Sequence, residues 1–419
     1  MTVSPTRRVA GLLAAVSALA LLGVAWAALV AAVVVAVFFV VDAMQVRGAL
    51  GVRRGLATVV SRGIASPLSV EIESALAPVG SARVRQPVPA ALQLADDEAD
   101  TSLVTTLTGL RRGRQVVPGP IVRRTGPLGL ARWDRVAGEP VEVSVYPDVF
   151  SARRVVQAMR RGSFGSAGLV ARGPLGLGTE FESIREYSPD DDLRQVNWLA
   201  TARAGRPMSN QYRVEQDREV VCLVDCGRLM AAPLGDRTRL DAALDAVATV
   251  VLAADEAGDR CGLVAFDATV QRLVAPSRAG AAAVVRSCFD LEARAVDSDY
   301  AAAFRAVTGA KRRLVFVFTD LLDDGAARVL VDAVPVLTRR HAVAVVSARD
   351  PDLDGLLARP PASAVDVYEA AVAVELLDGR ARAAAALGAA GATVVEASAG
   401  RLGYACVEAY LSLKSRARL

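Results

Sequence analysis

The chain has one histidine, His341, and very few lysines, and it contains no G-x-x-x-x-G-K-[ST] segment. Without that phosphate loop, and with few lysines to serve one, the protein is not expected to hydrolyse ATP itself. His341 opens an expected strand after "TRR", a place that suits a structural ring better than an acid–base one. No G-x-S-x-G elbow occurs, and no cysteine has a histidine placed by sequence to activate it. The five cysteines, Cys222, Cys226, Cys261, Cys288 and Cys406, are odd in number and show no CxxC spacing. Neither a zinc site nor a disulfide framework is indicated, and the apolar context of most of them is that of small core residues. Arginines far outnumber acids between Arg111 and Arg172, yet no aromatic-studded motif accompanies them. A basic face beside anionic lipid is therefore preferred to nucleic-acid binding.

Charge is also missing from Val9 to Val41, a run of Ala, Val and Leu that raises the mean hydropathy to +0.34. As one helix the run would be roughly 50 Å long against a hydrocarbon core of about 30 Å. Two short spans fit better than one strongly tilted span, with a turn at Gly23 beside the interfacial aromatic Trp26. Basic residues flank both ends, Arg7 and Arg8 before and Arg47, Arg53 and Arg54 after, which places both ends in the cytoplasm. The expectation is a transmembrane hairpin over 1–46 in the cell membrane, with the soluble domains cytoplasmic. The alternatives are a single span and a secretory signal cut after "AWA", the latter weakened by the dozen apolar residues that follow.

From Pro67 to Tyr146 short alternating stretches are broken by Gly and Pro, and the phrase "GPLGL" marks turns at Gly126 and Gly173. This period of two predicts an antiparallel β-sandwich over 47–150. After about Arg218 the pattern changes to continuous Val and Leu strands alternating with helices: "EVVCLVD", "CGLVAF", "RLVFVFTD", "HAVAVVSARD" and "ATVVEA". Such strands are buried on both faces, so 219–419 is expected to be a doubly wound α/β domain on a mostly parallel sheet, joined by a connector over 151–218.

The connector carries "EFESIREYSPDDDLRQVNWLATARAGRP", from Glu180 to Pro207. It resembles the signature of a bacterial family called "domain of unknown function 58", whose members have a von Willebrand factor A-like domain. The matching positions are Arg185, Glu186, Tyr187, Pro189, Asp191, Asp192, Arg194, Asn197, Trp198, Ala200, Thr201, Ala202 and Arg203, with Asp190 departing from the usual glycine. The likeness extends through "VYPDVF", "VCLVDCGRLM", "GDRCGLVAFD", "DSDYAAAF", "LVFVFTDLLD" and "YLSLKSRARL". It implies a membrane-associated assembly with a MoxR-type AAA+ ATPase, in some contexts with a transglutaminase-like membrane protein, and no established enzymatic activity. On the residues alone, Asp192 and Gln195 resemble a capping box, with Leu193, Val196 and Ala200 on one helical face. Paired charges from Arg185, Glu186, Arg194 and Arg203 clamping this helix form one reading; a docking surface anchored by Trp198 is the other.

The A-like resemblance also implies a metal site built on Asp-x-Ser-x-Ser, a threonine and a later aspartate. Asp225 matches the first ligand and Asp320 the last, but Gly227 and Leu229 replace the serines, and around Ser298 to Tyr300 the loose match falls on Asp299. Two carboxylates, helped by Asp323 or Asp324, would bind Mg²⁺ only weakly. The expectation is a degenerate site in a non-catalytic adaptor without a cofactor, with Asp225 capping the following turn. The alternative is a metal-dependent hydrolase or ion-gated binding protein built on the same carboxylates.

Overall fold

The computed structural model of the protein describes residues 3–22, 24–46, 51–73, 81–161, 175–188, 195–213, 217–307, 311–321 and 324–416. Contacts divide the chain into two units, Met1–Tyr146 and Pro147–Leu419.

The first unit begins with a short strand, β1 (Val3–Pro5), and two helices, α1 (Arg7–Leu21) and α2 (Ala25–Val46). Eleven strands follow: β2 (Gly51–Leu56), β3 (Val59–Ser61), β4 (Ala65–Glu73), β5 (Ser81–Arg85), β6 (Leu92–Leu94), β7 (Glu98–Asp100), β8 (Ser102–Gly109), β9 (Gly113–Val117), β10 (Ile121–Thr125), β11 (Ala131–Val136) and β12 (Val141–Tyr146). They form sheets ordered β1-β11-β10-β5-β7, β2-β4-β8-β6 and β3-β12-β9. Pairing is antiparallel except between β3 and β12. Inward residues of all three sheets, among them Leu68, Val84, Leu107, Val122 and Val143, share one core, as the alternating pattern requires.

Sequence patterning gives no sign of β1, whose three residues pair with β11 ahead of the apolar helices. Thr6, at the start of α1, donates its hydroxyl to the Gly129 carbonyl at 2.6 Å. Asp42, near the end of α2 and fully buried, accepts the backbone N–H groups of Leu128, Leu130 and Ala131 at 2.9, 2.8 and 2.8 Å. One turn between β10 and β11 therefore holds the outer ends of both helices. A Cβ at Gly126 would lie 2.2 Å from Asp42 Oδ1, so this turn needs glycine for space. Among the described residues α2 is the one helix long and apolar enough to cross a membrane, and Trp26, Leu29 and Phe38 along it are exposed.

The second unit is mixed α/β. It runs α3 (Val149–Arg160), β13 (Leu175–Glu186), α4 (Trp198–Ala204), β14 (Met208–Arg213), β15 (Glu219–Asp225), β16 (Pro233–Leu234), β17 (Arg237–Thr238), α5 (Arg239–Glu256), β18 (Arg260–Phe266), β19 (Val270–Ser277), α6 (Gly280–Cys288) and α7 (Tyr300–Ala306). It continues with β20 (Leu314–Phe318), α8 (Asp324–Thr338), β21 (Ala342–Arg349), α9 (Pro351–Ala358), α10 (Ala364–Ala389), β22 (Thr393–Ser398) and α11 (Ala399–Arg416). The main sheet is ordered β19-β18-β15-β20-β21-β22, with β19 antiparallel and the remaining pairs parallel.

Successive residues of β15 divide between two cores. Val220, Cys222 and Val224 pack with α5, α6 and α11, while Val221 and Leu223 pack with α7 and α8. This is the two-sided burial that continuous Val and Leu runs demand. Outside the sheet, Val156 and Met159 of α3 pack on Ala253 of α5 and Val407 of α11. All five cysteines are free and buried, and burial pushes the Cys261 thiol up to about 12.

Candidate functional site

Numbered within the sheet, the strands run 3-2-1-4-5-6, so the order reverses between β15 and β20. Ligands in open α/β sheets gather outside the carboxyl ends at such a switch point. Asp225 ends β15, and Thr319 and Asp320 directly follow β20.

Asp225 is 2% exposed, and protein donors engage both its carboxylate oxygens. Oδ1 accepts the Gly227 N–H at 2.8 Å and the Ser298 hydroxyl. Oδ2 accepts the Thr319 hydroxyl at 2.7 Å and the Tyr300 hydroxyl at 3.0 Å. A carboxylate offers about four lone-pair sites, and these four groups lie within reach of them; the Tyr300 and Thr319 hydroxyls are also 2.9 Å apart, so either can donate to the other instead. The phenol of Tyr300 is pushed up by burial and by the Asp225 charge, so it stays protonated and able to donate. Asp299, the position that the metal pattern favours, instead caps α7 by accepting the Ala302 N–H at 2.9 Å. Asp225 does bond into the following turn, through the Gly227 N–H, as expected for a cap.

Gly227 explains how the hydroxyl set arises. A Cβ there would come within 2.2 Å of Ser298 Oγ and 3.0 Å of the Val296 carbonyl. The hydroxyl that a serine at 227 would bring is thus supplied from the loop before α7. The sequence pattern draws attention to the 298–300 stretch but not to these two hydroxyls, nor to Thr319 inside "FTD".

Asp320 takes part in a different arrangement. Its Oδ1 accepts Arg239 Nη1 at 3.1 Å and the Ser347 hydroxyl at 3.4 Å, and Arg239 Nη2 reaches Asp350 at 2.9 Å. Arg380, on α10, bonds to Glu396, to the Ser347 hydroxyl at 3.2 Å and to the Ala348 carbonyl at 3.1 Å. Arg239, Asp320 and Arg380 are each at most 5% exposed, so this is a buried ionic network joining the ends of β20, β21 and β22 to α5 and α10. Nothing in the sequence pattern points to Arg239 or Arg380. Asp323 and the Asp324 side chain lie outside the described residues. Among the described residues no three His, Cys, Asp or Glu side chains gather as metal ligands.

The signature stretch forms the β13–β14 hairpin with α4 between its strands. The expected cap at Asp192 and the start of its helical face at Leu193 lie outside the described residues, while Val196 pairs with Ser209 in an isolated bridge. Asn197 caps α4 by accepting the Ala200 N–H at 2.9 Å, and its Nδ2 bonds to Asn210 at 2.7 Å. Asn competes well for this place because its side-chain oxygen reaches the first free N–H groups of the helix. Thr201 Oγ1 accepts the Met208 N–H at 2.9 Å, and the Tyr187 N–H bonds to the Pro207 carbonyl at 2.9 Å. Arg185 donates to the Glu186 carbonyl, and Glu186 pairs with Arg206 at 3.5 Å rather than with Arg203. Among the described residues, amide and hydroxyl groups hold α4. Trp198 is 74% exposed and Leu199 65%. Pro189, Asp191, Asp192 and Arg194 lie outside the described residues, as do Asp190 and Leu193. His341 is buried, and its Nδ1 accepts the Arg313 N–H at 3.2 Å.

This unit also carries the likeness to known proteins. Residues 183–385 match the family model described as "Protein of unknown function DUF58". Over that stretch, just under half of the chain, the protein is similar to the DUF58 family. Curated proteins similar to this chain include the uncharacterized proteins Mb1516 of Mycobacterium bovis and Rv1480 of Mycobacterium tuberculosis. Each is 28% identical over 222 residues, covering 50% of this chain and 69% of the relative.

Proposed function

We propose that this chain is a membrane-anchored, non-catalytic adaptor that docks protein partners through an α/β unit of von Willebrand A-like kind. The engagement of Asp225 carries the reading. A buried carboxylate at the switch point that is ringed by four protein donors is engaged by the protein itself, which disfavours an ion or a reacting proton there. Asp320, expected as its companion ligand, is neutralised by Arg239. The donor set at the strand ends thus does not fit a divalent cation, and no reaction step is assigned to one. The 3-2-1-4-5-6 order supports the A-like reading.

Docking falls to surfaces that the fold leaves apolar and exposed. Trp198 and Leu199 stand on α4, which its caps hold in place. An exposed tryptophan on a fixed element has the character of an interface anchor. By family resemblance the partner is a MoxR-type AAA+ ATPase, with a transglutaminase-like membrane protein as a further member. Helix α2 supplies the anchor, and α1, tied to the same turn, returns beside it as the second limb of a transmembrane hairpin, which leaves the soluble units in the cytoplasm.

The test is binding of the full chain, in detergent, to a MoxR-type ATPase of the same organism, comparing wild type with Trp198→Ala. At least tenfold weaker binding by the variant is expected, about 1.4 kcal/mol, with an unchanged thermal midpoint. No binding by wild type overturns the partner, and equal binding by both overturns the anchor. In the same samples EDTA and then Mg²⁺ are expected to leave the midpoint unmoved. An ion at a hundredfold excess over its Kd would add about 2.7 kcal/mol, and a rise lost in Asp225→Asn would replace this reading by the ion-dependent hydrolase.

A further inference from the structure

We propose that the first unit binds the phosphate of an anionic phospholipid at the end where α2 enters it, with Arg124 as the central donor. The proposal rests on α2 lying in a bilayer. Val122 of β10 pairs with Val84 and Arg135, and Arg124 pairs with Ala82 and Trp133. Residues directly opposite in a ladder share a face. Val122 and Val84 are fully buried, so Arg124 lies on the inner face, one row nearer the Gly126–Ala131 turn that holds Asp42.

Arg124 is 7% exposed. Among the described residues no hydrogen bond or ion pair reaches its guanidinium, and none of its nitrogens is sealed from solvent. Its neighbours in the same sheet are treated differently. Arg123 and Arg132 share Asp134, Arg83 has Glu98 and Asp100, and Arg85 has Asp97. Asp42 is the acid that the fold brings to this end, and three backbone N–H groups engage its two oxygens. A cation held this far from water without a counter-ion is costly, and its open nitrogens show from which side an anion can reach it.

The surroundings identify the anion. Trp133 stands opposite Arg124, with the Arg135 guanidinium 5.6 Å from its ring centroid, an aromatic–cation pair suited to a headgroup layer. The uncharged part of α2, Ala25 to Val41, rises about 26 Å and ends one residue before Asp42. The turn that Asp42 holds thus falls at the edge of a hydrocarbon core, at the depth of lipid phosphates. Guanidinium binds phosphate through two parallel N–H bonds, and the acyl chains would lie on the exposed apolar flank of α2. A free phosphate offers the same oxygens without the chains, so the two sources are separable.

The full chain, purified in mild detergent and stripped of phospholipid, is given phosphatidylglycerol, phosphatidylcholine or inorganic phosphate, and its thermal midpoint and native mass spectrum are followed. Wild type is expected to gain several degrees with phosphatidylglycerol and to retain it as an adduct, with smaller effects from phosphatidylcholine and none from phosphate. Arg124→Gln is expected to lose the adduct and the gain while melting, lipid-free, at or above wild type, because an unpaired buried charge is gone. Arg124→Lys keeps part of both. Equal adducts on wild type and Arg124→Gln overturn the proposal, as does equal stabilisation by inorganic phosphate. Unfolding of the lipid-free glutamine variant also overturns it, since the guanidinium would then serve the fold alone. Alkaline carbonate extraction of wild type from membranes separates the premise. Release of the chain sinks the anchor itself, whereas retention without an Arg124-dependent adduct sinks only the lipid site.

Discussion

Gly227 has an ordinary backbone conformation, with φ −76°, so its missing side chain is a matter of space. Ser298 Oγ occupies the place a Cβ would need. Gly227→Ser is expected to destabilise the full chain by roughly 1–3 kcal/mol, the cost of overfilling a tight site. Adding Ser298→Gly removes the atom that the new Cβ meets. Denaturant unfolding of the two single variants and the double variant should then show a coupling that returns part of the loss. Strict additivity would mean that the close approach is not what keeps residue 227 bare. His341 gives a second residue-scale expectation, clean because it is the only histidine. Its pKa lies below the ordinary value, first through burial and then through Arg313, Arg340 and Arg312. The folded state therefore refuses a proton that the unfolded chain accepts. Stability should be fully present above about pH 6.5 and fall as the pH drops from there through the lowered folded value. The part of the unfolding free-energy slope between pH 5 and 7 that His341 contributes should be absent in His341→Asn, which keeps an acceptor for the Arg313 N–H but does not titrate.

The same contrast between local pattern and distant partner recurs among whole elements. The buried parallel strands were legible because continuous Val and Leu has few other uses, and their helices followed from the alternation. Strand β19 was not legible. It lies at the sheet edge, half exposed, and its Arg272 and Pro276 break the apolar run. Helix α4 was not legible from local pattern, because its cap, Asn197, is held by Asn210 from the far side of the hairpin, while the cap expected at Asp192 lies outside the described residues. At the candidate site Asp225 was legible as an acid at a strand end, but its three hydroxyl donors come from 73 to 94 residues away, beyond any local period. Helix α11 shows the reverse, a motif whose meaning is structural. Tyr410 and Lys414 of "YLSLKSRARL" lie four residues apart on one helical face and both reach Asp259, at 2.6 and 2.7 Å. Their ion pair is almost wholly buried, with side-chain exposures of 6% and 0%. Lys414→Met would strand the Asp259 charge and should cost about 3–5 kcal/mol. The pair Lys414→Met with Asp259→Asn should cost less than Lys414→Met alone, and a double variant that is worse than either would show that the lysine's packing, not its charge, holds the helix.

Across the molecule the question is how a chain with, among its described residues, one helix long and apolar enough to cross a membrane would be mounted in one. Helix α1 has 15 residues, a rise of about 22 Å against a hydrocarbon core of about 30 Å, and by length alone it would not count as a span. Its attachment changes that. Thr6 and Asp42 bind the same turn of the β unit, and from Asp42 back to Ala25 α2 rises about 25 Å. The two helices therefore leave the turn together, and their far ends lie within a few ångströms of the same depth. If α2 crosses the bilayer, α1 must accompany it through a locally thinned membrane, as short spans do. Topology reporters make this concrete. Fusions at the amino and carboxyl termini should both report the cytoplasm, and a reporter inserted between α1 and α2 should report the opposite side. A periplasmic carboxyl terminus would reverse the orientation that the flanking arginines imply. Termini on opposite sides would require the bonds from Thr6 or Asp42 to the Gly126–Ala131 turn to break in the membrane. That outcome should then appear as rapid amide exchange at Leu128, Leu130 and Ala131, whose N–H groups Asp42 otherwise protects.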